Sequence, residues 1–174
     1  NINVTGTCLE YGMLEGCLNE EMEVKPTTSY GIAKNELRIK LQKLSEEFPF
    51  NFKWMRLFYM FGNGQNPKSL ISQLDKALVN NEEEFKMSGG QQVRDFLPVE
   101  TVAEYIVKAA SQDVVTGVIN CCSGKPITVY DFIINYLEEN NKSIKLKPGY
   151  YPYTSYEPME FWGNTKKLRL ITGL

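Results

Sequence analysis

Apolar residues recur along this chain in two rhythms, and the switches between them predict its elements. Residues 2–7 read as the end of a buried strand that runs into a loop lasting to about Pro26. Over 30–47 the spacing becomes helical. Ala33, Leu37, Leu41 and Leu44 form one stripe, which predicts the side turned to the core. Residues 52–58 are a compact, aromatic-rich strand candidate, and Gly62-Asn63-Gly64-Gln65-Asn66-Pro67 opens a loop after it. A second helix is predicted over 68–80, with short strands over 85–87 and 93–97. A third helix covers 99–111, with Val102, Tyr105, Ile106 and Ala109 on one face. Residues 117–122 form a strand that turns at Ser123-Gly124. Thr128 then caps a helix, with Asp131 in the capping-box position. Ile144-Lys145-Leu146 alternates like an edge strand, 148–158 is a Tyr- and Pro-rich loop, and 165–171 predict a last short helix. Strands alternating with helices point to α/β architecture.

Composition narrows the function. With 174 residues, 43% of them apolar, the chain can form one ordinary domain with a core. A net charge of −2 provides no basic field, so neither nucleic acid nor a membrane surface is expected as a partner. No apolar run approaches the ~20 residues of a membrane helix. There is no histidine, which excludes Ser-His-Asp and Cys-His catalysis and the usual histidine metal sites. Cys8, Cys17, Cys121 and Cys122 make no Cys-x-x-Cys pair, so no metal is expected, and reduced thiols in a cytoplasmic protein are the simplest reading.

The chemistry gathers near the start. Tyr30 and Lys34 lie four apart and share a helix face. A free phenol, with a pKa of about 10, is too weak a base at neutral pH. A neighbouring ammonium and a positively charged nicotinamide ring favour the phenolate, so the phenol can take or return a proton as hydride moves. Thr7, at the strand end, would hold the same substrate oxygen in line. The Tyr-x-x-x-Lys spacing alone arises often by chance. Thr7, Tyr11-Gly12 and the full Pro26…Tyr30-Gly31…Lys34 pattern make it specific.

These segments resemble the extended short-chain dehydrogenase/reductases, the NAD-dependent epimerase/dehydratase group that acts on nucleotide sugars. Three further markers follow in the same order: Arg56-Leu57-Phe58-Tyr59 running to Gly62 and Gln65, then Arg94-Asp95-Phe96 with Val99, then Asn120 with Ser123-Gly124 and Thr128. The resemblance implies a fold made of the back half of a Rossmann-type parallel sheet plus a small α/β substrate-binding lobe. It divides the chain into 1–66, the catalytic part of the Rossmann-like domain, and 67–174, mainly the substrate lobe, with 93–122 partly returning to the sheet. It implies Thr7, Tyr30 and Lys34 as the catalytic set, and NAD or NADP held by Tyr30, Lys34 and Phe58. A nucleotide sugar would be held by Thr7, Tyr59, Ser69 and Arg94, where Tyr59 stands in place of a frequent Asn.

Related 4,6-dehydratases carry Asp-Glu directly after the catalytic Thr. Here Cys8 and Leu9 occupy those places, so elimination is disfavoured and hydride exchange at a sugar carbon remains: epimerisation or 4-ketoreduction. Glu10 is one residue further on and is expected to point the other way. No Gly-x-Gly-x-x-Gly turn occurs, so the front half of such an enzyme is expected to be absent and the isolated chain to bind cofactor poorly. Association with that half, or a homodimer using Ile32 and Ile39, is the expected way to cover exposed faces. A non-catalytic sugar-nucleotide binding module, or an inactive fragment, is the competing possibility.

Overall fold

In the computed structural model, which describes residues 1–173, the chain runs β1 (Ile2–Thr7), β2 (Gly16–Leu18), α1 (Ser29–Glu47), β3 (Phe52–Leu57), β4 (Tyr59–Phe61), α2 (Leu70–Val79) and β5 (Glu84–Lys86). It continues through β6 (Val93–Arg94), β7 (Phe96–Pro98), α3 (Val99–Ala110), β8 (Gly117–Cys121), β9 (Ile127–Thr128), α4 (Val129–Glu139), β10 (Lys145–Lys147), β11 (Phe161–Gly163) and α5 (Lys166–Thr172). A 3-10 turn, Cys8–Tyr11, follows β1 directly.

The main sheet is parallel, in the order β1-β3-β8. Ile2 pairs with Phe52 and Thr7 with Leu57, so both strands end level, and β8 reaches the same edge where Leu57 meets Cys121. Parallel neighbours need crossover connections, and α1 and α3 lie in those connections. Four small two-stranded sheets build the rest: β5 with β10, β2 with β11, β4 with β7, and β6 with β9.

Three apolar clusters hold these parts together. Met55, Ile119, Cys121, Val102, Tyr105, Ala109 and Leu168 fill the space between the sheet, α3 and α5. Leu74, Phe85, Phe132, Ile133 and Leu137 form a second cluster between α2, α4 and β5, where Phe96 stacks on Phe132 at 3.8 Å between ring centroids. Cys8, Tyr11, Leu18, Phe58, Cys122 and Phe161 form the third cluster, beside the end of β1.

The structure corrects the expected orientation of the first helix. Leu37 and Leu44 are 42% and 41% exposed, Ala33 is exposed, and Leu41 is only half-buried. Only Gly31 of α1 is buried. The helix turns Lys34 and Arg38 inward instead, because its partners there are the Thr5 carbonyl and the buried Glu10 carboxylate. The expected loop before Pro26 also contains the 3-10 turn and β2, and the expected 93–97 strand splits between two sheets. The strand at 52–58 stops at Leu57, and β4 joins β7 in a different sheet. Phe161–Gly163 is a strand with no signal in the apolar pattern.

Candidate active site

The end of β1 organises the site. Thr7 is extended (φ −148°, ψ 147°) and caps the 3-10 turn: its Oγ1 accepts the Leu9 N–H at 3.3 Å. That bond occupies a lone pair and leaves the hydroxyl proton free to be donated. The Thr7 N–H itself goes to Glu10 Oε1 at 2.9 Å.

The first turn of α1 lies directly on this turn. Thr28 caps the helix by accepting the Gly31 N–H at 3.0 Å. A Cβ at Gly31 would come within 2.7 Å of the Leu9 carbonyl oxygen, so glycine is what allows the two turns to meet. Tyr30, beside it, is 55% exposed and free to meet a ligand. One turn on, Lys34 Nζ donates to the Thr5 carbonyl at 2.8 Å and sits 5.8 Å from the Tyr30 ring centroid. Thr7, Tyr30 and Lys34 therefore gather around one strand end, the carboxyl edge of a parallel sheet, where open α/β folds place their ligands.

The other expected site residues occupy different settings. Phe58 is buried between the rings of Tyr11 and Phe161, at centroid distances of 6.4 and 6.1 Å. Tyr59 packs on Phe96 and Phe161, and its buried hydroxyl has no hydrogen-bond partner. Burial, with the thiol of Cys8 and the carboxylate of Glu157 nearby, pushes the Tyr59 phenol well above its ordinary range. Ser69 caps α2, accepting from Ser72 N–H at 3.4 Å and donating to Gln65 Oε1 at 2.6 Å.

Arg94 is buried and heavily engaged. Its Nη1 donates to the carbonyls of Val93 and Met159, and its Nη2 to the Pro158 carbonyl at 2.9 Å and Glu157 Oε2 at 3.2 Å. The guanidinium also lies over Phe161, 4.7 Å from the ring centroid. Its carboxylate partner is thus Glu157, far along the chain, and not the adjacent Asp95 or the nearby Glu100. An anionic ligand at Arg94 would have to displace Glu157.

Two carboxylates to which the sequence assigned no role prove central. Asp95 accepts from Ser123 N–H and Oγ at 2.7 Å, from Gly124 N–H at 2.9 Å and from Gly163 N–H at 3.2 Å, which ties the link between β6 and β7 to the Ser123-Gly124 turn and to the end of β11. Burial nevertheless raises its pKa, against the pull of those donors. Glu10 is fully buried, with its carboxylate on the Thr7 N–H, the Trp54 indole and Arg56. The sequence signal that could have found it is the Thr7-x-x-Glu10 spacing of a capping box, which the structure forms. Among the described residues, no group of three His, Cys, Asp or Glu side chains could hold a metal ion, and no helix is long and apolar enough to cross a membrane.

Comparison with known proteins gives this arrangement a context. A family model described as the NAD dependent epimerase/dehydratase family matches residues 2–122. The chain is 32% identical over 168 residues to the dTDP-6-deoxy-L-talose 4-dehydrogenase (NAD(+)) of Aggregatibacter actinomycetemcomitans, covering 94% of this chain and 60% of that one. It is 25% identical over 138 residues to the GDP-6-deoxy-D-talose 4-dehydrogenase of the same organism, covering 79% and 46%. In structure it resembles a UDP-N-acetylglucosamine 4-epimerase of Methanobrevibacter ruminantium, with a TM-score of 0.87 at 23% identity over 97% of this chain and 55% of that one. A UDP-glucuronic acid 4-epimerase of Bacillus cereus, solved with its substrate and NAD, gives a TM-score of 0.83 at 21% identity, covering 96% and 53%. The chain thus spans less than two thirds of the length of these relatives.

Proposed function

Because the chain belongs to the NAD dependent epimerase/dehydratase family, we propose that it carries the acid–base and substrate-binding part of an enzyme that exchanges hydride at C4 of a nucleotide-linked sugar. The observation that carries this assignment is the bond from Lys34 Nζ to the Thr5 carbonyl, which draws Tyr30 and Lys34 to the strand end bearing Thr7.

Each residue then has one task. Tyr30, exposed at the start of α1, takes the proton from the sugar hydroxyl or returns it. Lys34, tethered to the Thr5 carbonyl, offers its remaining protons to the nicotinamide ribose. Thr7 donates its free hydroxyl proton to the reacting sugar oxygen and holds it in line. Arg94 receives the substrate pyrophosphate in place of Glu157, a task suited to a guanidinium. Tyr59 offers its unpartnered hydroxyl to the same substrate, Ser69 approaches the nucleotide, and Phe58 walls the nicotinamide end.

A bound nicotinamide supplies or accepts the hydride. The residues at the end of β1 fit its nicotinamide–ribose end: an exposed phenol, a tethered ammonium and a hydroxyl donor. The chain has no Gly-x-Gly-x-x-Gly turn to seat a pyrophosphate, so its fit is to that end alone. Cys8 and Leu9 stand where elimination would need acidic groups, which supports oxidoreduction over dehydration. The likeness to two 4-dehydrogenases favours net oxidation or reduction of the sugar over epimerisation. The exposed α1 face of Ile32, Leu37, Ile39 and Leu44 is then the surface for a second copy or for the rest of the enzyme.

The test uses the full-length polypeptide, NAD or NADP, and a panel of nucleotide-linked 4-keto and 4-hydroxy sugars. Reduced-nicotinamide absorbance reports turnover, and deuteride from labelled cofactor should appear at C4. Tyr30→Phe should lower kcat by ~10²–10⁴-fold, the usual range for general acid–base catalysis. Sugar nucleotide that binds with no hydride signal from either cofactor would mark a binding module and refute the enzyme.

A further inference from the structure

We propose that Glu10 is a positioning residue for the reaction, holding the Thr7 hydroxyl in its donating orientation and fixing its distance from Tyr30. This rests on the assignment of Thr7 and Tyr30 above.

Glu10 is fully buried in the 3-10 turn beneath Thr7. Burying a carboxylate is costly unless its lone pairs are matched. Here they are. Oε1 accepts the Thr7 N–H at 2.9 Å and the Trp54 indole N–H at 2.9 Å. Oε2 accepts Arg56 Nε at 2.9 Å and shares the indole proton at 3.1 Å. Arg56 is itself 2% exposed, so the pair is a buried, charge-assisted one. Gly6 makes the space, since a Cβ there would overlap the Trp54 indole nitrogen.

The network joins β1 and α1, which carry the proposed chemistry, through β3. Thr7 belongs to β1, Trp54 and Arg56 to β3, and Arg38 Nε of α1 reaches Glu10 Oε2 at 3.9 Å. Tyr30 and Lys34 ride on that same helix. Thr7 is therefore gripped at both ends: its N–H by Glu10, and its Oγ1 by the Leu9 N–H. What remains for a ligand is the hydroxyl proton. Stability alone does not call for this arrangement, because a buried ion pair can often be replaced by packed apolar residues without loss. An acceptor fixed beneath the reacting threonine is what the carboxylate adds.

The experiment has two arms. In the 174-residue chain, ¹H–¹⁵N spectra follow the Trp54 indole N–H, assigned against Trp162→Phe, and the Thr7 amide. Glu10→Gln should move the Trp54 signal and speed Thr7 amide exchange, because an amide cannot accept from all three donors. Unmoved signals overturn the clamp, whether or not any enzyme activity is found. In the full-length polypeptide, Glu10→Gln should lower kcat by ~10–100-fold, the scale of a sub-ångström misplacement, with the sugar-nucleotide KM within about twofold. Added to Thr7→Val it should cost nothing further, because its effect passes through Thr7. Glu10→Asp, which keeps the charge for Arg56 but draws back from the Thr7 N–H, should lose kcat while remaining folded. Equal losses with and without the Thr7 hydroxyl would overturn the proposal, as would wild-type kcat in a Glu10→Gln protein whose Trp54 signal has moved.

Discussion

Replacing Gly31 with alanine sets two physical effects against each other. Alanine is the better helix former by ~0.5–1 kcal/mol, so propensity alone predicts a more stable α1. The contact geometry predicts the reverse. The new Cβ would lie 2.7 Å from the Leu9 carbonyl oxygen and 3.1 Å from both the Leu9 carbonyl carbon and Thr28 Oγ1, whereas ordinary contact begins at 3.4 Å. The Leu9 atoms are backbone, in a turn already held by Glu10 and Thr7, and cannot swing aside as a flexible side chain would. The helix must retreat by about 0.7 Å, the difference between 3.4 and 2.7 Å. Overpacking of this kind costs ~1–3 kcal/mol, which exceeds the propensity gain. The net loss should lower Tm by several degrees at ~2–4 °C per kcal/mol for a chain of this size. The same retreat carries Tyr30 away from Thr7, so kcat in the full-length polypeptide should fall ~10–100-fold. Thermal unfolding by circular dichroism reads the first effect and steady-state kinetics the second. A Gly31→Ala protein as stable and as active as the parent would show that the first turn of α1 does not rest on Leu9.

Thiol chemistry should single out Cys17, the one exposed cysteine, when the native chain meets a maleimide at neutral pH; mass spectrometry of the labelled peptides checks it. Burial pushes Cys8 and Cys121 up to about 12 and Cys122 higher still, above the ordinary thiol value of 9.0. Unfolded thiols then ionise before folded ones. The stability they contribute is complete below pH 9 and lost as pH rises toward 12, so Tm should fall across that window, and replacing Cys121 with Ala should flatten the fall. Asp95→Asn should destabilise the fold by ~2–3 kcal/mol, since the amide turns a donor toward N–H groups of Ser123, Gly124 or Gly163 and leaves one unpaired. Denaturant titration measures that loss, and an unchanged midpoint would contradict the hub role given to this carboxylate.

Local signals in the sequence determined a good deal. The alternation of strands and helices, the Thr128 cap with Asp131, and the short strands expected at 85–87 and 144–146 follow from nearest-neighbour chemistry, whereas the pairing of 84–86 with 145–147 came only with the fold. The placing of Tyr30 and Lys34 on one side of a helix is local too, because an α-helix brings i and i+4 together wherever it lies. Which side of that helix faces inward was decided only in three dimensions. The apolar pattern nominated Leu37 and Leu44. Beneath the helix, β1 offers a backbone carbonyl and the 3-10 turn a buried carboxylate, and these recruit Lys34 and Arg38. Tertiary structure likewise decided the fate of the charged side chains. Arg94 met Glu157, and Asp95 met the Ser123-Gly124 turn and the end of β11, across separations that no local period encodes. A buried charge takes whichever partner satisfies it, and only the folded chain shows which one that is.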